Sequence, residues 1–304
     1  MLSVCIPVYN RNISKLLEDL IAQSRCLDKI SEIVVLNDGS ELPIVNPELT
    51  FENIRFLNNP TPLGRSAARN RLINEALGTY ILLLDAGAKL IHPDFLELWL
   101  QALEMSTEKV FYGGSVYTDS PPNKDFFVRW KVSTCRESKS HQYRINNPTG
   151  FKTNNVVIHK SIAEKLRFNE KLTKYGHEDT LYGFELLQQN IRVIQVDNPV
   201  QNEISDTNTV FVKKTMDATE NLVLAMEQAT NEQAFVQHVR LLSKYRAIIK
   251  MGFGPILALC GFLLLTPLKR SLEKGMKVGL LFRFDLFKLL VLHRTMRKQD
   301  RTIS

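Results

Sequence analysis

The segment His177-Glu178-Asp179-Thr180 follows Tyr175-Gly176 and places two adjacent carboxylates at the head of TLYGFELLQQN, a stretch with helical apolar spacing. The macrodipole favours ionised carboxylates at a helix N-terminus. An ionised carboxylate can take the proton from a hydroxyl as that hydroxyl attacks. Taken alone, the pair is better read as an acidic N-cap on an ordinary surface helix. The chemical reading draws its support from the first ninety residues.

Four turns there carry candidate binding groups. Pro7-Val8-Tyr9-Asn10 and Asn37-Asp38-Gly39-Ser40 each follow a run of buried-strand character. A Tyr9 ring can stack on a base, and the Asp38 carboxylate can accept an N–H of a base or a ribose hydroxyl. By itself Asp-Gly-Ser is also simply a tight turn. In NPTPLGRSAARN, Gly64 lets the chain enter a helix whose first turns carry Arg65, Ser66 and Arg69, a suitable neighbour for a diphosphate. Leu84-Asp85-Ala86-Gly87-Ala88 ends a further apolar run, and Asp85 there could hold a divalent cation.

The elements that must position these turns alternate. LSVCIPV, EIVVLND, NIRFL and TYILLLDA read as strands. Asn12 to Gln23, Arg65 to Leu77 (stopping at Gly78) and Pro93 to Met105 read as helices. Strands alternating with helices predict an α/β fold, a mostly parallel Rossmann-like sheet with helices on both faces. Ligands of such sheets bind outside the carboxyl ends of the strands, where these turns lie. KVFYGGSVY, Asn154 to His159 and Ile191 to Val196 read as later strands, and Thr207 to about Arg246 as helical.

PVYN, NDGS, GRSAARN, LDAGA and YGHEDT occur in register from Leu2 to about Pro199. Together they resemble family 2 of the GT-A glycosyltransferases. The resemblance implies a GT-A fold, a nucleotide-sugar donor and inverting transfer. By position it implies that Pro7, Tyr9 and Asp38 hold the nucleoside. Gly64, Arg65 and Arg69 would lie near the diphosphate, and Asp179 would be the general base, with Glu178 orienting the acceptor or substituting as base. Asp85 matches the first position of the family's Asp-x-Asp metal motif, which implies Mg²⁺ or Mn²⁺. Its third position is Gly87, and the histidine the family often places after the last strand is missing from DNPVQNEIS. Glu203 could substitute, since hard cations accept any carboxylate oxygen. Otherwise Arg65, Arg69 and Lys89 would carry the charge. Trp130, Asn154 and Asn155 are acceptor candidates, through ring stacking and amide hydrogen bonds, although a lone Trp is more often core.

The expected organisation is residues 1–206 as the glycosyltransferase domain, with 1–105 binding the donor and 106–206 the acceptor, and 207–304 as a helical C-terminal region. The 304 residues carry a net charge of +7, but 14 Lys/Arg against 3 Asp/Glu lie from Arg240 onward. The tail is therefore strongly basic and the remainder slightly acidic, which points to an anionic surface. MGFGPILALCGFLLLTPL (251–268) is apolar but broken by Gly and Pro, and MKVGLLFRFDLFKLLVLHR is basic and amphipathic. That combination suits peripheral membrane contact, with a buried helical pair as the alternative. Four scattered cysteines and no basic leader suggest the cytoplasm, at the inner face of the membrane.

The function expected is transfer to a glycan or lipid-linked acceptor in surface polysaccharide synthesis. A catalytically silent nucleotide-sugar-binding or scaffold protein is the alternative, motivated by Gly87 and the missing histidine. Nucleic acid is disfavoured because the tail has a continuous apolar face and no recognised motif. A dinucleotide-dependent oxidoreductase is disfavoured because no GxGxxG follows the first strand.

Overall fold

Residues 1–46, 54–147 and 151–303 are described by the computed structural model. The first half alternates as the sequence predicts: β1 (Leu2–Val8), α1 (Ser14–Ser24), β2 (Ile30–Asp38), β3 (Ile54–Asn59), α2 (Arg65–Glu75), β4 (Tyr80–Leu84), β5 (Ala88–Leu90) and α3 (Phe95–Glu104). Then come β6 (Val110–Tyr112), β7 (Ser115–Val116), α4 (Phe127–Val132), α5 (His141–Asn146), β8 (Asn155–His159), α6 (Lys160–Lys165) and α7 (Glu178–Gln188). The chain continues through β9 (Val193–Gln195), β10 (Val200–Asn202), α8 (Asn208–Gln228), α9 (Glu232–His238), α10 (Arg240–Lys250), α11 (Gly254–Glu273) and α12 (Leu280–Ile303).

Two compact units divide these elements. The first comprises Met1–Thr118, Arg136–Lys171 and Glu185–Glu203. Its main sheet has the order β3-β2-β1-β4-β8-β6-β9, and a small sheet has the order β5-β10-β7. β1 is parallel to both β2 and β4, β2 to β3, and β6 to β9, while β8 runs antiparallel to β4 and β6. Leu2, Val4, Ile6 and Val8 point to one face, where they pack with Leu16, Leu17 and Leu20 of α1 and Phe95 and Trp99 of α3. α2 covers the other face and packs on β1, β2 and α6. β1 begins neighbours on both sides, so the carboxyl ends of β1 and β4 form a topological switch point.

Some local expectations change. Gly78 is not a left-handed helix cap. A Cβ there would lie 2.7 Å from the Ser3 nitrogen, so glycine serves close approach to β1. KVFYGGSVY is broken into β6 and β7 at Gly113-Gly114, where the Arg144 guanidinium donates to the carbonyls of Tyr112, Gly113 and Val196. Burial lowers the Arg144 pKa from its ordinary value.

The second unit comprises Asp119–Cys135, Leu172–Phe184 and Ile204–Ser304. The segments 119–135 and 172–184, expected in the acceptor half of the first domain, thus group with the C-terminal helices. Apolar burial is the reason. Val128 and Val132 share a core with Phe211, Val212, Leu272, Phe284 and Phe287. Leu172, Leu181 and Phe184 share another with Leu222, Phe235 and Leu292.

α12 is therefore a core helix, not an amphipathic helix left for lipid. Its apolar face is taken by α8 and α11. Among the described residues, α11 is the one helix long and apolar enough to cross a membrane. It buries Leu257 and Leu272 but leaves Leu259 58% and Phe262 85% exposed.

Candidate functional site

In the first unit, the turns after β1, β2 and β4 gather the binding candidates. Asn10 adopts a left-handed φ of 48° after β1. Its Oδ1 accepts the Glu41 N–H at 2.8 Å, and its own N–H donates to Ser40 Oγ at 2.9 Å. The PVYN and NDGS turns are thereby joined, with Tyr9 left 53% exposed and able to stack on a base. Pro7 is partly buried at the end of β1.

Asp38 is buried and already engaged. Its Oδ1 accepts from the Asn59 amide at 2.6 Å and from Leu63 N–H at 2.9 Å, and its Oδ2 accepts from Gly64 N–H at 3.0 Å. With roughly four acceptor sites on a carboxylate, Asp38 first shapes the loop ahead of α2 and keeps limited capacity for a ligand. Gly64 has φ 90°, the left-handed region that admits glycine readily. It sets α2 so that Arg65 is exposed while Ser66 and Arg69 are buried. The Ser66 hydroxyl finds no protein partner among the described residues.

Arg69 donates to Asp85 Oδ1 at 3.0 Å and lies over the Phe168 ring, 5.7 Å from its centroid. Asn70 holds that ring's segment through bonds to the Phe168 backbone and Glu170. Beyond Asp85, Gly87 O accepts the Glu203 N–H at 3.1 Å, because β10 pairs antiparallel with β5. The Glu203 carboxylate is ion-paired with Arg11, a residue the sequence reading did not single out.

This donor set fits a divalent cation poorly. Each of the two carboxylates expected as ligands is paired with an arginine, and Gly87 offers no side chain. Among the described residues no group of three or more His, Cys, Asp or Glu side chains is placed to hold a metal ion. Lys89 is exposed on β5.

Asn154 lies beside Asp85, its carbonyl accepting the Asp85 N–H at 3.1 Å. Asn155, expected to meet an acceptor, is instead fully buried and donates to the carbonyls of Gly114 and Asn198 at 3.1 and 2.8 Å. A strand residue that staples two loop carbonyls has no amide hydrogens left for a sugar.

In the second unit, Gly176 (φ 87°) and His177 (φ 69°) are consecutive left-handed residues that swing the chain into α7. Asn221 of α8, buried in mid-helix, donates to the carbonyls of Lys174 and Gly176 at 3.2 and 2.5 Å and fixes that turn. A Cβ at Gly176 would stand 2.9 Å from the Ala218 Cβ. Glu178 is buried, whereas Asp179 is partly exposed and accepts from the Thr180 N–H at 2.8 Å. His177 Nδ1 is 3.1 Å from Thr180 Oγ1. Burial pushes the His177 pKa down to about 4, with the Lys288 ammonium adding and Glu178 opposing. Trp130 on α4 is partly buried, its ring 5.6 Å from that of Phe127.

Comparison with known proteins bears on the family and the fold. The sequence model of Glycosyl transferase family 2 matches residues 3–167, more than half of the chain. Dolichyl-phosphate beta-glucosyltransferase ALG5A of Trichomonas vaginalis is 28% identical over 127 residues, covering 38% of this chain and 39% of that protein, less than half its length. The solved mannosyltransferase PcManGT from Pyrobaculum calidifontis, in complex with GDP-Man and Mn²⁺, matches 98% of this chain and 87% of its own at 14% identity, with a TM-score of 0.61. S. aureus TarS 1–349 in complex with UDP matches 98% of this chain and 91% of its own at 15% identity, with a TM-score of 0.51. At those identities the likeness carries the fold, which is GT-A. With its fold and its family-model match over residues 3–167 in agreement, the chain belongs to glycosyl transferase family 2.

Proposed function

We propose that the protein is an inverting glycosyltransferase that moves a sugar from a nucleoside-diphosphate sugar to a glycan or lipid-linked acceptor. The observation that carries this reading is the Gly176–Asp179 turn. Two left-handed residues and the Asn221 clamp present a partly exposed Asp179 at the start of α7, where the macrodipole favours negative charge. The acceptor oxygen attacks the anomeric carbon opposite the leaving group. As the new C–O bond forms, the bond to the diphosphate breaks with its electron pair, and the acceptor proton passes to Asp179. Glu178, being buried, holds the turn or orients the acceptor.

The exposed Tyr9 ring and the Asp38-shaped loop before α2 support a nucleoside site, and Arg65 and Arg69 a diphosphate site. GDP-Man and UDP, bound by the two solved relatives, make guanine and uracil nucleotides the first donors to test. ALG5A is named for a dolichyl-phosphate acceptor, in keeping with a lipid-linked one. The exposed apolar side of α11 within a basic region favours action at the inner face of a membrane, as in surface polysaccharide synthesis.

Asp179→Asn keeps shape while removing the proton acceptor. Turnover should fall by roughly a hundredfold or more with little change in donor affinity. Near-normal turnover in Asp179→Asn, with loss in Glu178→Gln, would exchange the two roles.

A further inference from the structure

We propose that Arg11 takes the place of the divalent cation, receiving the negative charge that develops on the leaving diphosphate. This rests on the nucleotide-sugar reading above and identifies how that same site handles its leaving group. Arg11 follows the left-handed Asn10 at the carboxyl end of β1, beside the turn that carries Asp85 and Gly87. Its guanidinium packs against position 87. A Cβ at Gly87 would lie 3.3 Å from Arg11 Nη1, 3.5 Å from Cζ and 3.8 Å from Nη2. The Arg11 cation thus stands directly beside the position where the third-position carboxylate is missing.

The neighbouring groups suit that role. Asp85, the remaining carboxylate of the turn, is held by Arg69, whose side chain is almost wholly buried and backed by Phe168. A metal ion at Asp85 and Glu203 would have to share each carboxylate with an arginine already bonded to it. Arg11 is more readily turned to a phosphate than Arg69. Its partner Glu203 is 67% exposed and regains water when released, so that ion pair is weak. A guanidinium also matches two phosphate oxygens with parallel N–H donors, as a point charge does not. In the transfer step the bond between the anomeric carbon and the diphosphate oxygen breaks with its electron pair left on the diphosphate. Arg11 stabilises that charge by hydrogen bonds and exchanges no proton.

Titration calorimetry of the full chain with UDP and GDP, in EDTA and in Mn²⁺, tests the assignment. Whichever nucleotide binds should do so in EDTA with a dissociation constant within about threefold of that in Mn²⁺. Arg11→Met should weaken binding in EDTA by about tenfold or more, the loss of a charge-assisted bidentate contact, with an unchanged melting temperature. Glu203→Gln gives the opposite sign, because removing the competing carboxylate should tighten binding in EDTA by a few fold. Binding that needs Mn²⁺ and weakens in Glu203→Gln would make Glu203 a metal ligand and overturn the role of Arg11 while leaving the donor reading in place. Equal affinity of Arg11→Met and the parent in EDTA would also overturn it. Failure of both nucleotides to bind in either buffer would sink the donor reading and the Arg11 assignment together.

Discussion

The Asp38 carboxylate accepts the Gly64 N–H at 3.0 Å, so one side chain ties the end of β2 to the residue that begins α2. Leu63 N–H and the Asn59 amide complete its shell. The same carboxylate is thus a loop clamp and a nucleoside-site candidate. Asp38→Ala strips three donors of their acceptor, and loss of such bonds should cost about 2–4 kcal/mol of stability. Affinity for nucleoside diphosphate and for nucleotide sugar should fall by similar factors, because both contain the nucleoside. Denaturant midpoints and calorimetry measure the two effects. A destabilised variant with unchanged affinities would leave Asp38 a purely structural role.

Asn221 and Gly176 stand in a similar relation, with a buried amide fixing the turn ahead of the carboxylate pair. Asn221→Leu removes both bonds to that turn while keeping a helix-compatible side chain. Turnover should fall by about tenfold or more, since small misplacement of a catalytic group is costly, while nucleoside-diphosphate affinity stays near the parent's. An unaffected turnover would show that the turn is set by Gly176 and His177 alone.

The strands were readable from the sequence because β1, β2 and β4 are buried on both faces and appear as near-continuous apolar runs ended by turn residues. What the sequence hid depends on distant partners. Arg11 pairs with Glu203 across the whole first unit, and no local spacing marks such a contact. β10, with the sequence VQN, has too few apolar residues to announce a strand and exists by pairing with β5 and β7. Asn221 is one of many polar residues in α8, directly after Thr219 and Glu220, and nothing in its spacing marks it as the one that reaches the turn. α12 shows the limit of periodicity itself: an apolar stripe says that something covers a face, and the cover proved to be protein.

His177 sets an acid limit on stability. Its folded-state pKa of about 4 lies below the ordinary histidine value of 6.5, so the unfolded chain binds the proton first as pH falls. Its contribution is complete above about pH 6.5 and is lost progressively toward pH 4, below which the loss stops growing. At about 1.4 kcal/mol per pH unit the ceiling is on the order of 3 kcal/mol. Asn tolerates the left-handed backbone at this position. In urea titrations at pH 7 and 4.5, His177→Asn should therefore lose less stability than the parent. Identical pH dependence in the two proteins would show that His177 does not carry this loss.

The exposed apolar surface of α11 should hold the protein on anionic membranes. Ile256, Leu259, Phe262 and Leu263 are all more than half exposed, and Lys250, Lys269, Arg270 and Lys274 flank them. Apolar insertion supplies one signal, and attraction of about 1 kcal/mol per nearby Lys or Arg supplies the other. Truncation after Lys250 cannot isolate this effect, because it would also remove Phe284, Phe287 and Leu292 from the cores of the second unit. Point changes on the exposed side of α11 avoid that damage. Leu259→Glu with Phe262→Glu should lower partition onto vesicles containing phosphatidylglycerol by about tenfold or more, with an unchanged melting temperature. Binding by the parent should weaken at high salt, and alkaline carbonate should release at least part of it from membranes. Full retention in carbonate would mean that α11 inserts as a spanning segment. No vesicle binding by the parent would mean that its apolar side meets something other than lipid.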